Sequence, residues 1–420
     1  MQRSNAGGRR LMSTLRRAVL ISFLALPAAW PSSSTTFRFG SDADIRADTI
    51  YTNERGYGFD LGSKVSCAPN SCTSETPFFF SVRLPEGNYN VKLTLGDATA
   101  ASLTTVKAES RRLMLEKVET ASGEFVTKTF TVNIRTPRIS TGGEVKLKDR
   151  EIGVLHWDDK LTLEFNNRHP AVSAVEIAKA EDAITVYIVG DSTVTDQPRE
   201  PWNSWGQMLP RFFRPGVAVA NHAESGESLK SSLKARRLDK VLSTIKAGDY
   251  LFIQFGHNDQ KEHGEGVGAF TTYKSDLKLY VAEAHKRGAI PVLITPGNRR
   301  TFDDSGKITN SLGDYPDAVR QAAKEESVSL IDLNAMSKPF YEALGPENSK
   351  KAFVDNTHHN NYGSYELAKC IVEGIKANKL GIARFLVDDV APFDPSHPDP
   401  METFAIPASP LSTANNPDGN

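Results

Sequence analysis

The strongest constraint on what this 420-residue chain can fold into is a change of texture at Glu181. Upstream, from Thr35 to about Ala180, the segments FFFSVRLPEGNYNVKLTLGD, EFVTKTFTVNIR, GEVKLKD and KLTLEFNN alternate apolar with polar residues, with turn formers between them. Alternation at period two marks strands with one buried face. Short strands with regular turns imply an antiparallel, jelly-roll-like β-sandwich over residues 34–180. Downstream the apolar runs become continuous: ITVYIV (Ile184–Val189), VAVA (Val217–Ala220), YLFIQF (Tyr250–Phe255), IPVLIT (Ile290–Thr295) and VSLIDL (Val328–Leu333). Helical stretches separate them around Trp205–Phe213, Ser231–Ile245, Phe270–Lys286 and Tyr315–Glu326. Strands apolar on both faces and alternating with helices imply a parallel sheet covered on both sides, hence an α/β domain over residues 181–388. Its last helix, with Leu367, Ile371 and Ile375 at four-residue spacing, is expected to stop near Gly381. Residues 389–420, rich in Pro, Ser and Asp, cannot build a core and are expected to lie extended on the surface or stay mobile.

The first 33 residues read as an export signal. Arg3, Arg9, Arg10, Arg16 and Arg17 precede the apolar run AVLISFLALPAAW (Ala18–Trp30), which is short for a bilayer span. An uncleaved anchor is the alternative, and Arg9-Arg10 hints at a twin-arginine route. The mature protein is expected to be secreted or periplasmic and free of the membrane. Net charge is −1, and −6 without those five arginines, so no dense basic face is available for nucleic acid. Cys67 and Cys72, in SCAPNSC, are placed to pair across a turn in an oxidising compartment. Cys370 falls in an apolar helix pattern and reads as a buried free thiol. Three cysteines without a matching histidine spacing argue against a zinc site.

In a parallel α/β sheet, ligands bind beyond the carboxyl ends of the strands. Those ends carry, in order, Gly190-Asp191-Ser192, the segment NHAESGES with Asn221 and Gly226, the segment FGHND with His257, Asn258 and Asp259, and FVDNTHHNNYG with Asp355 and His358. A serine hydroxyl becomes a nucleophile when an imidazole takes its proton. The imidazole needs a carboxylate to hold its tautomer. Asp355 and His358, three residues apart before a helix, suit that pairing, with Nε2 left to face Ser192. The backbone N–H groups of Ser192 and Gly226, with the Asn258 amide, are the candidate donors to the oxyanion formed by attack on an ester. Other readings attach to their neighbours. Asp191 reads as a turn or cap residue, His222 as packed behind Gly226, and His359 as a rival base to His358. His257 reads as a loop support or a substrate contact. Trp202 and Trp205 read as core anchors or as a sugar-stacking wall.

These blocks, GDSTV, NHAESG, FGHND and DNTHHNNYG, resemble in order those of the SGNH (GDSL) hydrolases, and their wording is similar to the rhamnogalacturonan and pectin acetylesterase branch. The resemblance spans about Ile184 to Leu380. It implies a three-layer, flavodoxin-like α/β hydrolase with Ser192 as nucleophile, His358 as base and Asp355 as its orienting acid. The oxyanion hole it implies is Ser192, Gly226 and Asn258, with no metal and no organic cofactor. Val194 breaks the G-x-S-x-G pattern, which disfavours the common α/β-hydrolase fold. Where close relatives carry a basic residue after the second-block glycine, this chain has Glu227, an acid expected to repel a polyuronide if it faces the cleft. YTNERGYGFD and NNRHPAVSAVEI resemble, more loosely, a galactose-binding-like domain. The expected activity is removal of O-acetyl groups from plant cell-wall polysaccharide, with pectic rhamnogalacturonan foremost and acetylated xylan or small esters as alternatives. From a different class, a non-catalytic carbohydrate-binding protein would use the sandwich alone. A lipid esterase is a third alternative, but no long apolar loop in the α/β domain suggests an acyl channel or lid.

Overall fold

The computed structural model describes residues 34–413, and the expected export signal over residues 1–33 lies outside them. The described residues fall in one compact unit. Residues 35–179 form two antiparallel sheets. One runs Ser66–Ala68, Ser71–Thr73, Ala171–Lys179, Gly87–Leu95 and Val126–Ile134, with Thr35–Arg38 added on Ala171–Lys179. The other runs Tyr57–Asp60, Phe78–Arg83, Lys160–Asn166, Ser102–Ala108 and Arg112–Thr120. Phe78–Arg83 and Gly87–Leu95, adjacent in sequence, lie in different sheets, so Pro85-Glu86 bridges the two layers and does not close a hairpin. Between the sheets Phe37, Phe39, Phe59, Phe78 and Phe80 pack edge to face with ring centroids about 5–6 Å apart. The Cys67–Cys72 disulfide links the three-residue strands Ser66–Ala68 and Ser71–Thr73, the cysteine Cα atoms 4.1 Å apart.

The parallel sheet has the spatial order Val217–Asn221, Ile184–Gly190, Tyr250–Gln254, Ile290–Ile294, Ser329–Ile331, which is 2-1-3-4-5 by sequence and therefore flavodoxin-like. Alternate residues of each strand serve opposite faces, as period two requires. Val186, Ile188, Phe252 and Ile294 meet Phe212, Leu367, Ile371 and Ile375 on one side. Tyr187, Val189, Leu251 and Ile253 meet Leu277, Tyr280, Val281 and Val319 on the other. Among the described residues no helix is long and apolar enough to cross a membrane.

Four expectations are corrected. The helix Leu333–Asn348 goes beyond the segments read as helical, its pattern masked by Pro339, Gly345 and Pro346. The last helix ends at Ala377, before Gly381, where Asn378 caps it and Lys379 takes a left-handed φ of 50°. The tail is anchored as far as Thr413, so the mobile alternative does not hold there. Asp399 O accepts from the Tyr362 hydroxyl, Pro407 O from Lys107 Nζ, and the Leu411–Thr413 backbone brackets Glu200. Finally, GEVKLKD pairs with no sheet. Its alternation serves two surfaces: Val145 and Leu147 pack with Ile139 and Trp157, while Lys148 turns toward the α/β loops.

The sandwich meets the α/β layers through buried charge. Arg112 donates through Nε to Asp196 Oδ2 at 2.7 Å, and both side chains are sealed from solvent. Asp196 Oδ1 also accepts from Asn221 Nδ2 at 2.9 Å. Arg135 Nη2 lies 3.8 Å from Asp196 Oδ2 without hydrogen-bonding it, so removing Arg112 leaves Asp196 in a dry interior with a more distant cation and no guanidinium hydrogen bond. Arg112→Met is expected to destabilise the protein by about 3–5 kcal/mol in urea unfolding, and a loss below about 1 kcal/mol would mean that Arg135 or water takes over the Asp196 carboxylate.

Candidate active site

At Gly190 a Cβ would come within 2.5 Å of the Gln254 carbonyl oxygen, so only glycine lets the first parallel strand turn so tightly against its neighbour. Asp191 then organises the turn. Its Oδ1 accepts from the Thr193 N–H at 3.0 Å and the Thr193 hydroxyl at 2.8 Å, and its carbonyl accepts from the Val194 and Thr195 N–H groups. Burial alone would raise the Asp191 carboxyl, but His257 and Thr193 outweigh it and hold the pKa below the ordinary value. Ser192 sits in this turn, and its carbonyl accepts from Gln197 Nε2 at 2.8 Å.

The Asp355–His358 loop meets it from the far end of the chain. His358 Nε2 lies 2.7 Å from Ser192 Oγ, and His358 Nδ1 lies 2.8 Å from Asp355 Oδ2. Asp355 Oδ1 accepts from the backbone N–H groups of Thr357 at 2.6 Å and His358 at 2.7 Å. Arg299 bonds the Thr357 hydroxyl and the His257 carbonyl, and so joins this loop to the FGHND loop. The three side chains are thus in hydrogen-bond contact in series, serine to imidazole to carboxylate. His359 is turned away, with Nε2 on the Tyr341 hydroxyl at 2.8 Å. Burial, then the neighbouring His358, pushes its pKa down to about 3, so it stays neutral and is no rival base.

Gly226 has a φ of +74°, a conformation that disfavours any side chain. Asn258 Nδ2 donates to the Glu227 carbonyl at 3.0 Å, which ties the two oxyanion candidates together. The Ser225 carbonyl accepts from Lys148 Nζ at 2.6 Å and from the Arg150 guanidinium, both from the segment that leaves the sandwich. Glu227 does not face a cleft. It is 1% exposed and held by Lys148 Nζ at 3.1 Å, Arg237 Nε at 3.5 Å and the Ser231 hydroxyl, which removes the expected repulsion. Glu224 is also buried, and burial, with Glu151 nearby, pushes its pKa up to about 7 despite its pair with Arg150.

Three substrate-contact readings are corrected. Trp205 is core, with no exposed surface and its indole N–H on Gln254 Oε1 at 2.8 Å. His257 has both ring nitrogens engaged, Nδ1 facing Asp191 at 3.2 Å and Nε2 facing the Gly297 carbonyl at 3.0 Å, so it is a loop support. Trp202 is 5% exposed and meets the His358 ring edge to face at 5.7 Å, so it packs against the imidazole and forms no open stacking wall. His222 is wedged between Trp157 and Tyr187. Cys370 is a buried free thiol whose pKa burial raises.

Sequence reasoning missed Arg111. From the sandwich it pairs with Glu200 Oε1 at 2.6 Å and donates to the carbonyls of Gln197 at 3.0 Å and Trp202 at 2.8 Å. It thus holds the loop that touches both Ser192 and His358. Its partners lie some 90 residues away, and SRRL in a turn gives no local sign of them. A cavity of about 190 Å³ opens beside this loop, lined by Arg150, His156, Gln197, Arg199, Trp202 and Ser225 among others.

A model of the GDSL-like lipase/acylhydrolase family matches residues 188–364. The rhamnogalacturonan acetylesterase RhgT of Bacillus subtilis (strain 168) is 42% identical over 221 residues, covering 49% of this chain and 94% of that protein. The uncharacterized esterase YxiM of the same organism is 30% identical over 382 residues, 83% of this chain and 92% of that one. A crystal structure of the Bacillus subtilis YxiM protein aligns with a TM-score of 0.46 at 26% identity, over 83% of this chain and 99% of that chain.

Proposed function

The chain belongs to the GDSL-like lipase/acylhydrolase family, and from that premise we infer that it deacetylates rhamnogalacturonan through an acetyl-Ser192 intermediate. It is a carboxylic ester hydrolase acting on carbohydrate. The acetyl-serine step is carried by the contact of Ser192 Oγ with His358 Nε2 at 2.7 Å, backed by Asp355 at 2.8 Å on the other nitrogen, and the substrate by the likeness to a rhamnogalacturonan acetylesterase.

The steps follow from that geometry. His358 Nε2 takes the Ser192 proton as Oγ bonds to the acetyl carbon, and Asp355 stabilises the imidazolium. The carbonyl oxygen, now charged, is received by the N–H groups of Ser192 and Gly226 and by Asn258. The bond to the sugar oxygen breaks, and that oxygen leaves with the proton from His358. Water then attacks the acetyl-serine, giving its proton to His358. Collapse releases acetic acid and returns the proton to Ser192. One ester and one water become one alcohol and one acid. The reading includes export, which the Cys67–Cys72 disulfide supports.

Acetate release from acetylated rhamnogalacturonan, acetylated xylan and a small chromogenic acetate tests the substrate. The pectic polymer is expected to have the highest kcat/KM, by about 10-fold or more, a margin within reach of a few differential contacts. Equal or faster release from xylan would keep the chemistry and discard the pectic assignment. No release from any ester by folded protein would discard both.

A further inference from the structure

The Ser225–Gly226 peptide is gripped through its carbonyl oxygen. Its carbonyl oxygen accepts from Lys148 Nζ at 2.6 Å and from Arg150 Nη2, both carried on the stretch between the sandwich strands Val126–Ile134 and Lys160–Asn166. In a trans peptide the C=O and N–H vectors are antiparallel. Cations fixed on the Ser225 oxygen therefore fix the Gly226 N–H in the opposite direction, away from the sandwich. The left-handed φ of +74° at Gly226 is a conformation that glycine adopts without the strain a side chain would bring. A charge-assisted hydrogen bond at the carbonyl also polarises the peptide and strengthens its N–H as a donor.

Lys148 and Arg150 are not structural residues that burial alone explains. Their side chains remain 32% and 34% exposed, and each is balanced by a buried acid that leads back to the same loop: Glu227 at 3.1 Å from Lys148 and Glu224 at 2.7 Å from Arg150. Glu227 in turn meets Arg237 at 3.5 Å, so it keeps a cation when Lys148 is removed. We propose that Lys148 and Arg150 are positioning residues of the α/β active site, holding the Ser225 carbonyl so that the Gly226 N–H is aimed at the oxyanion. The sandwich is then part of the catalytic unit, whether or not it also binds glycan. This rests on the acyl-enzyme reading above, in which Gly226 is an oxyanion donor.

The test uses the whole chain, with Lys148→Met, Arg150→Met and the double variant, on a small chromogenic acetate. Losing one oxyanion donor costs about 10²–10³ in rate. Misaiming it is expected to lower kcat about 10-fold in each single variant and about 100-fold in the double, with KM within about 2-fold. The affinity of an arylboronic acid, which forms a tetrahedral serine adduct, should fall in parallel with kcat. Lys148→Arg should recover most of the loss. Unchanged kcat in the double variant overturns the proposal, and so does a fall in kcat with no change in boronate affinity. Phosphonate labelling of Ser192 in the wild type separates the two readings. A labelled, active wild type with unaffected variants sinks only the positioning role, whereas a wild type that is neither labelled nor active removes the acyl-enzyme reading and the positioning role together.

Discussion

Ser192→Ala is expected to lower kcat on every acetyl ester by about 10⁵-fold, with KM changed little. The size follows from what the hydroxyl does. Without Oγ, His358 Nε2 has no attached nucleophile at 2.7 Å, and Asp355 has no developing charge to stabilise. The surviving donors still bind and polarise the carbonyl, which leaves a residual rate well above that in water. The side chain is 1% exposed, and alanine removes one oxygen, so the unfolding midpoint should stay near the wild-type value. Steady-state kinetics and phosphonate labelling check this together. Retained turnover above about a tenth of the wild-type rate would mean that another group attacks the ester.

Asp355→Asn should cost about 10⁴-fold, and the reason lies in the backbone. Asp355 Oδ1 accepts from two N–H groups, Thr357 at 2.6 Å and His358 at 2.7 Å. An asparagine must keep its carbonyl oxygen there, because an NH₂ would face two donors. Its NH₂ is then forced toward His358 Nδ1, which must become an acceptor. The ring proton moves to Nε2 and points at Ser192, so the base is lost while the fold is kept. Kinetics on a small acetate measure the loss. Nitrogen-15 shifts of the imidazole report the tautomer, and an unchanged Nδ1–H form with normal turnover would refute the argument.

The parts of this molecule that could be read in the sequence share one property: their meaning is local. Continuous apolar runs such as ITVYIV announce a strand buried on both faces, and the 2-1-3-4-5 sheet puts their carboxyl ends together. Ser192 was legible in a short block at such an end, and Asp355 and His358 in a short block of their own, which the structure places in the loop between the helices Leu333–Asn348 and Asn361–Ala377. What escaped depends on partners distant in the chain. Arg111 finds Glu200, and Glu227 finds Lys148 and Arg237, so a residue that looked like a repulsive acid is a neutralised strut. GEVKLKD shows the same limit. Its period of two was real, yet the second surface it served was a set of loops and not a neighbouring strand. Trp205 looked like a possible sugar platform because an aromatic side chain reads alike whether a core or a ligand covers it.

The clasp between Arg112 and Asp196, and that between Arg111 and Glu200, bear on how such proteins recombine. In each pair one partner belongs to the sandwich and the other to the loop after the nucleophile. A chimera that joins this α/β half to a foreign sandwich inherits two buried carboxylates without their arginines. The crossover that succeeds must carry both members of each pair across the splice. In a breeding experiment between relatives, the sandwich and the hydrolase should therefore travel as a single heritable block, with viable junctions falling outside it.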